Sequence, residues 1–412
     1  MNPQRANHIQ EKLSLHPLAE QEAPYYASFR IDGPIDALAW LKNHCDQPTV
    51  YWCSRDGNTE YAGIGIAEPH YTSVQETQAR LTELPYPLRA FGGCSFSKKS
   101  DGWGHFGQEK FWIPRILYVR QGNQYSIVHC VLSQKRSSPS KIINQQNTPT
   151  HTPPKQIWKQ QIENSYEAFS SGELKKIVIA RQTKVHIPKH PLDVLRTLRA
   201  QQSASFDFAF SPYGQDFFIG CSPELLLCID NHTIQTEALA GTRPKEANPD
   251  ELLHSDKDQR EHRFVLNHII ERLNRLCSST HRSAKPIVSA HNLVIHLKTS
   301  IEGIIKKGVT THDLITALHP TPAVSGFPQQ ESIRLIERWE GFDRGWYAGP
   351  VGWISTNGAE LAVGIRSALF QDNQCLVWAG AGIVEGSQPE QEWQEIEAKS
   401  RQFLLLAEKT YE

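Results

Sequence analysis

Charge of one sign is scarce in this 412-residue sequence: 43 Lys and Arg stand against 44 Asp and Glu, a formal net charge of −1. No basic run interleaved with aromatics occurs, so nothing points to nucleic acid or to an anionic membrane surface as a partner. No stretch reaches the ~18 apolar residues that a transmembrane helix requires. The opening "MNPQRANHIQEKLSLHPLAEQE" has no apolar signal-peptide core. Cysteine occurs eight times (Cys45, Cys53, Cys94, Cys130, Cys221, Cys228, Cys277 and Cys375) but never as C-x-x-C, and several lie in apolar runs such as "CSPELLLCID". They read as reduced, mostly buried thiols. Repeats of solenoid spacing are missing too. These absences predict a soluble, cytoplasmic globular protein that binds no nucleic acid and no membrane. Any anionic ligand must then be gripped locally. With 39% hydrophobic and 21% charged residues, the chain can build a large core.

Residues 1 to about 132 mix short helices ("IDALAWLKNH", "SVQETQARLTEL") with strands ("TVYWCSR", "EYAGIGIA", "LRAFGGCSF", "FWIPRILYVR", "QYSIVHCVL"). The segment 133–155 is rich in Ser, Pro, Thr and Asn and reads as an exposed linker between an N-terminal half, 1–155, and a second region, 156–412. From Gln156 onward helices and strands alternate, and many adjacent strands are joined by short turns. That pattern predicts an α+β fold of largely antiparallel sheets with helices outside.

The stretch "GAGIVEGSQPEQEWQEIEAKS", Gly380 to Ser400, places a row of glutamates behind a glycine-rich segment. Val377, Trp378 and Ala379 close a strand, Gly-Ala-Gly is expected to turn the chain, and Ser387 with Glu390 has the spacing of a capping box. A helix therefore starts near Gln388. Trp393, Ile396, Ser400, Phe403, Leu404 and Ala407 form its core face, and Glu392, Glu395 and Lys399 form a second stripe. One account is ordinary: acids favour a helix N-terminus, and Glu395 pairs with Lys399 in an exposed i,i+4 contact.

A second helix, "ELLHSDKDQREHRFVLNHIIERL", carries Asp258 and Glu261 one turn apart, with Phe264, Leu266, Ile269, Ile270 and Leu273 as its apolar face. Two such acid pairs facing one another would repel unless a cation held them, and an oxygen-only site without His or Cys suits Mg²⁺. Gly380 and Gly382 do not make a dinucleotide fingerprint, because Glu385 stands where the third glycine is needed.

Other residues admit two readings each. Lys176 shares the inward face of "KIVIAR" with Val178 and Ala180. It is either a rim lysine whose stem snorkels to water or a base whose pKa is lowered by burial or a nearby cation. Glu224 follows a Ser-Pro break and precedes three leucines, which suits a neutral general acid or an outward-facing strand start. Arg366 and His296 interrupt apolar strands; each is satisfied structurally, or, for Arg366, grips a substrate carboxylate. The loop "LHPTPAVSGFPQ" is stiff enough to wall a pocket or is merely a rigid turn.

Taken in order, "KIVIAR", "GCSPE", "EALAGT", "DKDQREH", "IHLKT", "HPTPAVSGFP", "WYAGPVGW", "GIRSA" and "GAGIV" with "EWQEIEAKS" resemble the chorismate-utilising enzyme family, and within it the isochorismate synthases of the menaquinone type. The likeness is dense from about Gln156 onward and looser before it, through "FGGCSF" and "FWIPRI". It implies one compact domain, an α/β sandwich of the anthranilate-synthase-like chorismate-binding fold, acting as a monomeric isomerase on chorismate with Mg²⁺. It further implies Lys176 as the base that activates water and Glu224 as the acid that protonates the departing hydroxyl. Glu261 and Glu395 would be direct metal ligands, with Glu392 and Asp258 nearby, directly or through water. Arg366, Tyr347, Lys399 and the amides around Gly380 and Gly382 would contact carboxylates, and Thr242 and His296 would line the pocket. Aminodeoxychorismate-forming relatives often carry lysine where Ala240 stands, and ammonia-using ones glutamine where Lys176 lies. Both departures favour water as the nucleophile. Salicylate synthase and the siderophore-pathway isochorismate synthases remain alternatives, as does, in another class, an inactive metal-binding relative.

Overall fold

The structure, a computed structural model, describes residues 23–133, 150–202, 204–290, 294–371 and 374–408. Most of the expected linker, 134–149, lies outside the described residues. Its end is exposed at Thr150 and His151 but is not a plain connection: Thr150–Thr152 is a strand paired with Lys176–Val185, and helix Lys155–Ser170 begins inside the segment.

Two antiparallel sheets form a sandwich. Along the larger one run, in order, Tyr25–Arg30, Gln124–Val131, Ile116–Gln121, Thr59–Ile64, Thr49–Cys53, Phe206–Ser211, Phe217–Ser222, Ser367–Gln371, Gln374–Val384, Lys176–Val185 and Gly326–Phe327. The smaller contains Cys277–Arg282, Val294–Ile305, Thr233–Pro244, Leu225–Asp230, Gly358–Val363, Pro350–Ser355, Arg89–Cys94 and Glu109–Trp112. Phe206–Ser211 pairs with Thr49–Cys53, and Pro350–Ser355 pairs with Arg89–Cys94, so both halves of the sequence are built into both sheets.

Side-chain alternation explains why the central strands Thr49–Cys53, Phe206–Ser211 and Phe217–Ser222 are buried at every position. Trp52, Phe208 and Phe218 point into the space between the sheets, where they meet Phe91, Val351 and Leu361. Their neighbours Tyr51, Ala209 and Ile219 point the other way and pack against Leu38, Leu41, Leu195, Leu198, Phe403 and Leu406. These central strands of the larger sheet are thus buried on both faces, a condition that removes the usual polar alternation from them.

The acidic segment forms two helices instead of one. Ser255 takes extended backbone between Pro249–His254 and Asp256–Leu276, and its side chain accepts from Asp258 N–H at 3.2 Å. The buried face of the longer helix runs through His262, Val265, Leu266, Ile269 and Leu273. Phe264, expected on that face, is only half-buried and stacks on Phe327. The last described helix, Pro389–Glu408, buries Trp393, Ile396, Ser400 and Phe403 as its periodicity predicts. Glu390 pairs with Lys155 at 2.8 Å. Ser387 Oγ accepts from Val384 N–H at 3.2 Å, so the expected capping partners are engaged elsewhere. Among the described residues no helix is long and apolar enough to cross a membrane.

Candidate active site

Two crossings of the chain between the sheets lie side by side. Phe217–Ser222 belongs to the larger sheet and Leu225–Asp230 to the smaller, so Pro223 and Glu224 span the change. Gly358–Val363 and Ser367–Gln371 make the return through Gly364, Ile365 and Arg366. Val363 N–H donates to the Glu224 carbonyl at 3.0 Å and Cys221 N–H to the Arg366 carbonyl at 3.2 Å, which ties one crossing to the other. Arg366 has φ of +52°, a left-handed conformation that costs a non-glycine residue roughly 1–3 kcal/mol.

Beside these crossings opens a cavity onto which the sequence-predicted residues converge. Glu224, Arg366, Thr242, His296, Tyr347, Asp258, Glu261, Glu392, Glu395, Lys399, Gly380 and Gly382 all line it. Lys176 adjoins it, fully buried, with Nζ 2.8 Å from Glu261 Oε1. The ammonium therefore does not snorkel to water. The two acidic helices do face one another across the space, and Ala323 and Val324 of the proline-rich loop wall one side. Thr242 Oγ1 lies 3.0 Å from His296 Nδ1 beside a bulge between Ala240 and Thr242.

Gly380 and Gly382 correct one expectation. They do not turn the chain but continue strand Gln374–Val384, opposite Ala180 and Val178. The backbone approaches its neighbours closely here. A Cβ on Gly382 would sit 3.0 Å from Glu261 Oε1 and 3.1 Å from Lys176 Cε, and one on Gly380 would sit 3.2 Å from the Tyr347 hydroxyl. The ladder to Ser367–Gln371 reaches only Val377, so beyond it that edge of the strand has no partner among the described strands. The Gly380 carbonyl accepts from Lys399 Nζ at 2.8 Å.

The charges are closely matched. Glu261 pairs with Lys176, Asp258 with Arg243 at 3.0 Å, Glu392 with Lys257 at 3.5 Å and Glu395 with Lys399 at 2.6 Å. That last pair realises the ordinary i,i+4 account, though both side chains are largely buried. Burial alone would raise the Glu261 carboxyl, but Lys176, with Lys399 and Lys257, holds it below the usual range. Glu392 is raised, first by burial and then by the neighbouring charge of Glu395, with Glu261 adding to it. Glu224 is pushed up to about 8 by burial and by Glu237, against the opposing pull of Lys176 and Lys399. A carboxyl of that kind is neutral at pH 7 and can donate its proton.

A hard divalent cation fits this donor set in its chemistry. The donors are carboxylate oxygens, and Glu392 is raised first by burial and then by the neighbouring charges of Glu395 and Glu261. As the side chains stand, lysines and an arginine hold the carboxylates, and among the described residues no three His, Cys, Asp or Glu side chains are grouped at metal-holding spacing.

The sequence matches the family described as chorismate binding enzyme over residues 14–406. The chain belongs to this family. The isochorismate synthase MenF of Escherichia coli strain K12 is 32% identical to it over 92% of this chain and 92% of that one. The solved structure of MenF from Escherichia coli, titled as the menaquinone-specific isochorismate synthase, matches with a TM-score of 0.85 at 30% identity, covering 98% of this chain and 99% of that chain. Anthranilate synthase component I of Streptococcus pneumoniae shares the fold, with a TM-score of 0.65 at 19% identity over 93% and 92% of the two chains.

Within this chorismate-binding chain, two features escaped sequence reasoning. Lys257 lines the cavity next to Asp258, in the same charged run. Arg344 and Glu340 form a buried pair behind Tyr347. Arg344 donates to the Val324 and Val178 carbonyls, each at 2.9 Å, and Glu340 accepts from Ala180 N–H at 2.7 Å. The pair thus braces the Lys176 strand against the proline-rich wall. Its only sequence signal is an i,i+4 charge pair, which reads as a solvated helix contact.

Proposed function

We propose that this chain is an isochorismate synthase of the menaquinone type, an isomerase that converts chorismate to isochorismate. The single observation that carries the chemistry is a buried lysine, held by Glu261 of the cavity wall, beside a cavity that is also lined by a buried carboxyl raised to about 8. Similarity to MenF over nearly the whole chain, the N-terminal half included, supports the menaquinone assignment.

In this mechanism Lys176 takes a proton from the water whose oxygen adds at C2. The ring double bonds shift, and the C4 hydroxyl leaves as water on receiving the proton of Glu224. Water enters and water leaves, so the balance closes. Arg366 presents a planar fork suited to a bidentate grip on the enolpyruvyl carboxylate, and Tyr347, Lys399 and the Gly380–Gly382 edge face the same space. Thr242 and His296 shape the pocket floor.

Chorismate is a dianion, while Asp258, Glu261, Glu392 and Glu395 are already matched by Arg243, Lys176, Lys257 and Lys399, and Arg366 adds a single further positive charge at the cavity. Extra positive charge is needed, and Mg²⁺ held by Glu261 and Glu395, with Glu392 and Asp258 directly or through water, would screen the ring carboxylate from the glutamates. The protein is proposed to act as a cytoplasmic monomer; its eight unpaired cysteines suit a reducing compartment.

Product analysis by NMR after incubation with chorismate and Mg²⁺ tests the function. Isochorismate alone is expected; salicylate with pyruvate would make the chain a salicylate synthase, and no turnover by folded protein would overturn the enzyme. Chelation with EDTA should slow the reaction more than about tenfold, with recovery on adding excess Mg²⁺. An undiminished rate in EDTA would remove the metal from the proposal. Arg366→Lys should raise KM about tenfold with a smaller effect on kcat, because a point charge cannot replace the two-pronged contact. An unchanged KM would place the carboxylate elsewhere.

A further inference from the structure

The peptide groups on either side of Glu224 are held by the two ends of one ion pair. Arg55, in the turn after strand Thr49–Cys53, donates from Nη1 to the Pro223 carbonyl at 3.0 Å. Its guanidinium also embraces Glu237 of strand Thr233–Pro244, with Nη2 to Oε2 at 2.9 Å. Glu237 Oε1 in turn accepts from Leu225 N–H at 3.3 Å. Lys298, on the neighbouring strand Val294–Ile305, brings Nζ to 2.7 Å from Glu237 Oε2. The Glu237 side chain is only 3% exposed, and the Arg55 guanidinium rests over the Phe206 ring at 5.2 Å from its centroid.

None of these three residues lines the cavity. A packing role alone is a poor reason for them, since well-fitted apolar residues commonly stabilise a site of this kind as well as buried charges do. Their contacts instead converge on the one residue between Pro223 and Leu225. The carboxylate is ionised: burial would raise it, but Arg55 and Lys298 hold it below its ordinary value.

We propose that Arg55, Glu237 and Lys298 form a positioning cluster for the catalytic acid, fixing the peptide on each side of Glu224 and setting a permanent negative charge behind its carboxyl. The inference rests on Glu224 being the proton donor. It also assigns a task to the N-terminal half of the sequence, which supplies Arg55 to a site otherwise built from the second half. Lys176 and Lys399 act on Glu224 with positive charge, and Glu237 is the group that opposes them.

The test is the pH dependence of kcat/KM for the full chain with Mg²⁺, measured for the parent, Glu237→Gln and Arg55→Gln, with thermal melts alongside. Glu237→Gln removes the negative charge, so the limb on which activity falls at high pH should move to lower pH by about one pH unit, with kcat lowered about tenfold. Arg55→Gln leaves the carboxylate less neutralised, so the same limb should move to higher pH. A merely structural cluster would lower the melting temperature and leave both limbs in place, which would overturn the inference. If Glu237→Gln does not fold, Arg55→Gln decides alone, since Arg55 is the more exposed partner at 23%. Glu224→Gln run in parallel separates the two readings. Full activity there would sink the acid assignment itself, whereas loss there with unmoved limbs in the cluster variants would sink only the cluster.

Discussion

Lys176→Ala should lower chorismate turnover by ~10²- to 10⁴-fold, the usual worth of a positioned acid-base group. Lys176 is fully buried, and its ammonium is 2.8 Å from Glu261. Removing the side chain leaves Glu261 with Lys399 and Lys257 as its more distant counter-charges, so a lower melting temperature is expected as well. The measurement is the rate of isochorismate appearance by NMR, with circular dichroism confirming the fold. A folded variant with parental rate would remove Lys176 from the chemistry.

Glu224→Gln should cost a similar ~10²- to 10⁴-fold in kcat, and it carries a second signature of opposite sense in stability. The folded-state value near 8 lies above the ordinary carboxyl value of 4.5. Between those values the folded chain holds a proton that the unfolded chain releases, so stability falls as pH rises through the window and the full penalty is reached above about pH 8. Glutamine has no proton to lose. The variant should therefore gain on the parent as pH rises from about 5 to 9, by about 1.4 kcal/mol per pH unit within the window, and up to a few kcal/mol in all. Denaturant titrations across that range check the gain. Parental activity should itself decline above about pH 8, as Glu224 loses the proton it must donate. A variant that loses activity without gaining stability at high pH would mean that Glu224 is ionised in the folded state and is not the acid.

The two acid stripes show how much of the site was legible. Glu392, Glu395, Asp258 and Glu261 stood out because charge at helical spacing next to an apolar face is a local pattern, and the structure brings all four to one cavity. Lys176 and Glu224 stood out as polar residues in apolar strands. The Gly-Ala-Gly segment misled because glycine serves both turns and close approaches. Only the neighbours from three other elements, Lys176, Glu261 and Tyr347, decide that Gly380 and Gly382 are strand residues stripped of side chains. Residues 254–261 carry no apolar side chain, so periodicity is silent about Ser255, whose extended backbone splits the helix.

By itself the sequence determined the chemistry on offer. It set the α+β class, the apolar strands that any folding must bury, the family likeness, and which side chains are out of place in their local pattern. These depend on residue type and on spacings of a few positions, which a single chain displays directly. Tertiary structure alone decided which of those side chains meet. Glu224 and Arg366 became neighbours because the chain passes between the two sheets at both points, more than a hundred residues apart. Arg55 and Glu237 read as unremarkable charges until strand pairing set them on either side of the Glu224 peptide. Non-local contact and burial turn an ordinary carboxyl into one that holds its proton near pH 8, and neither is written in local spacing.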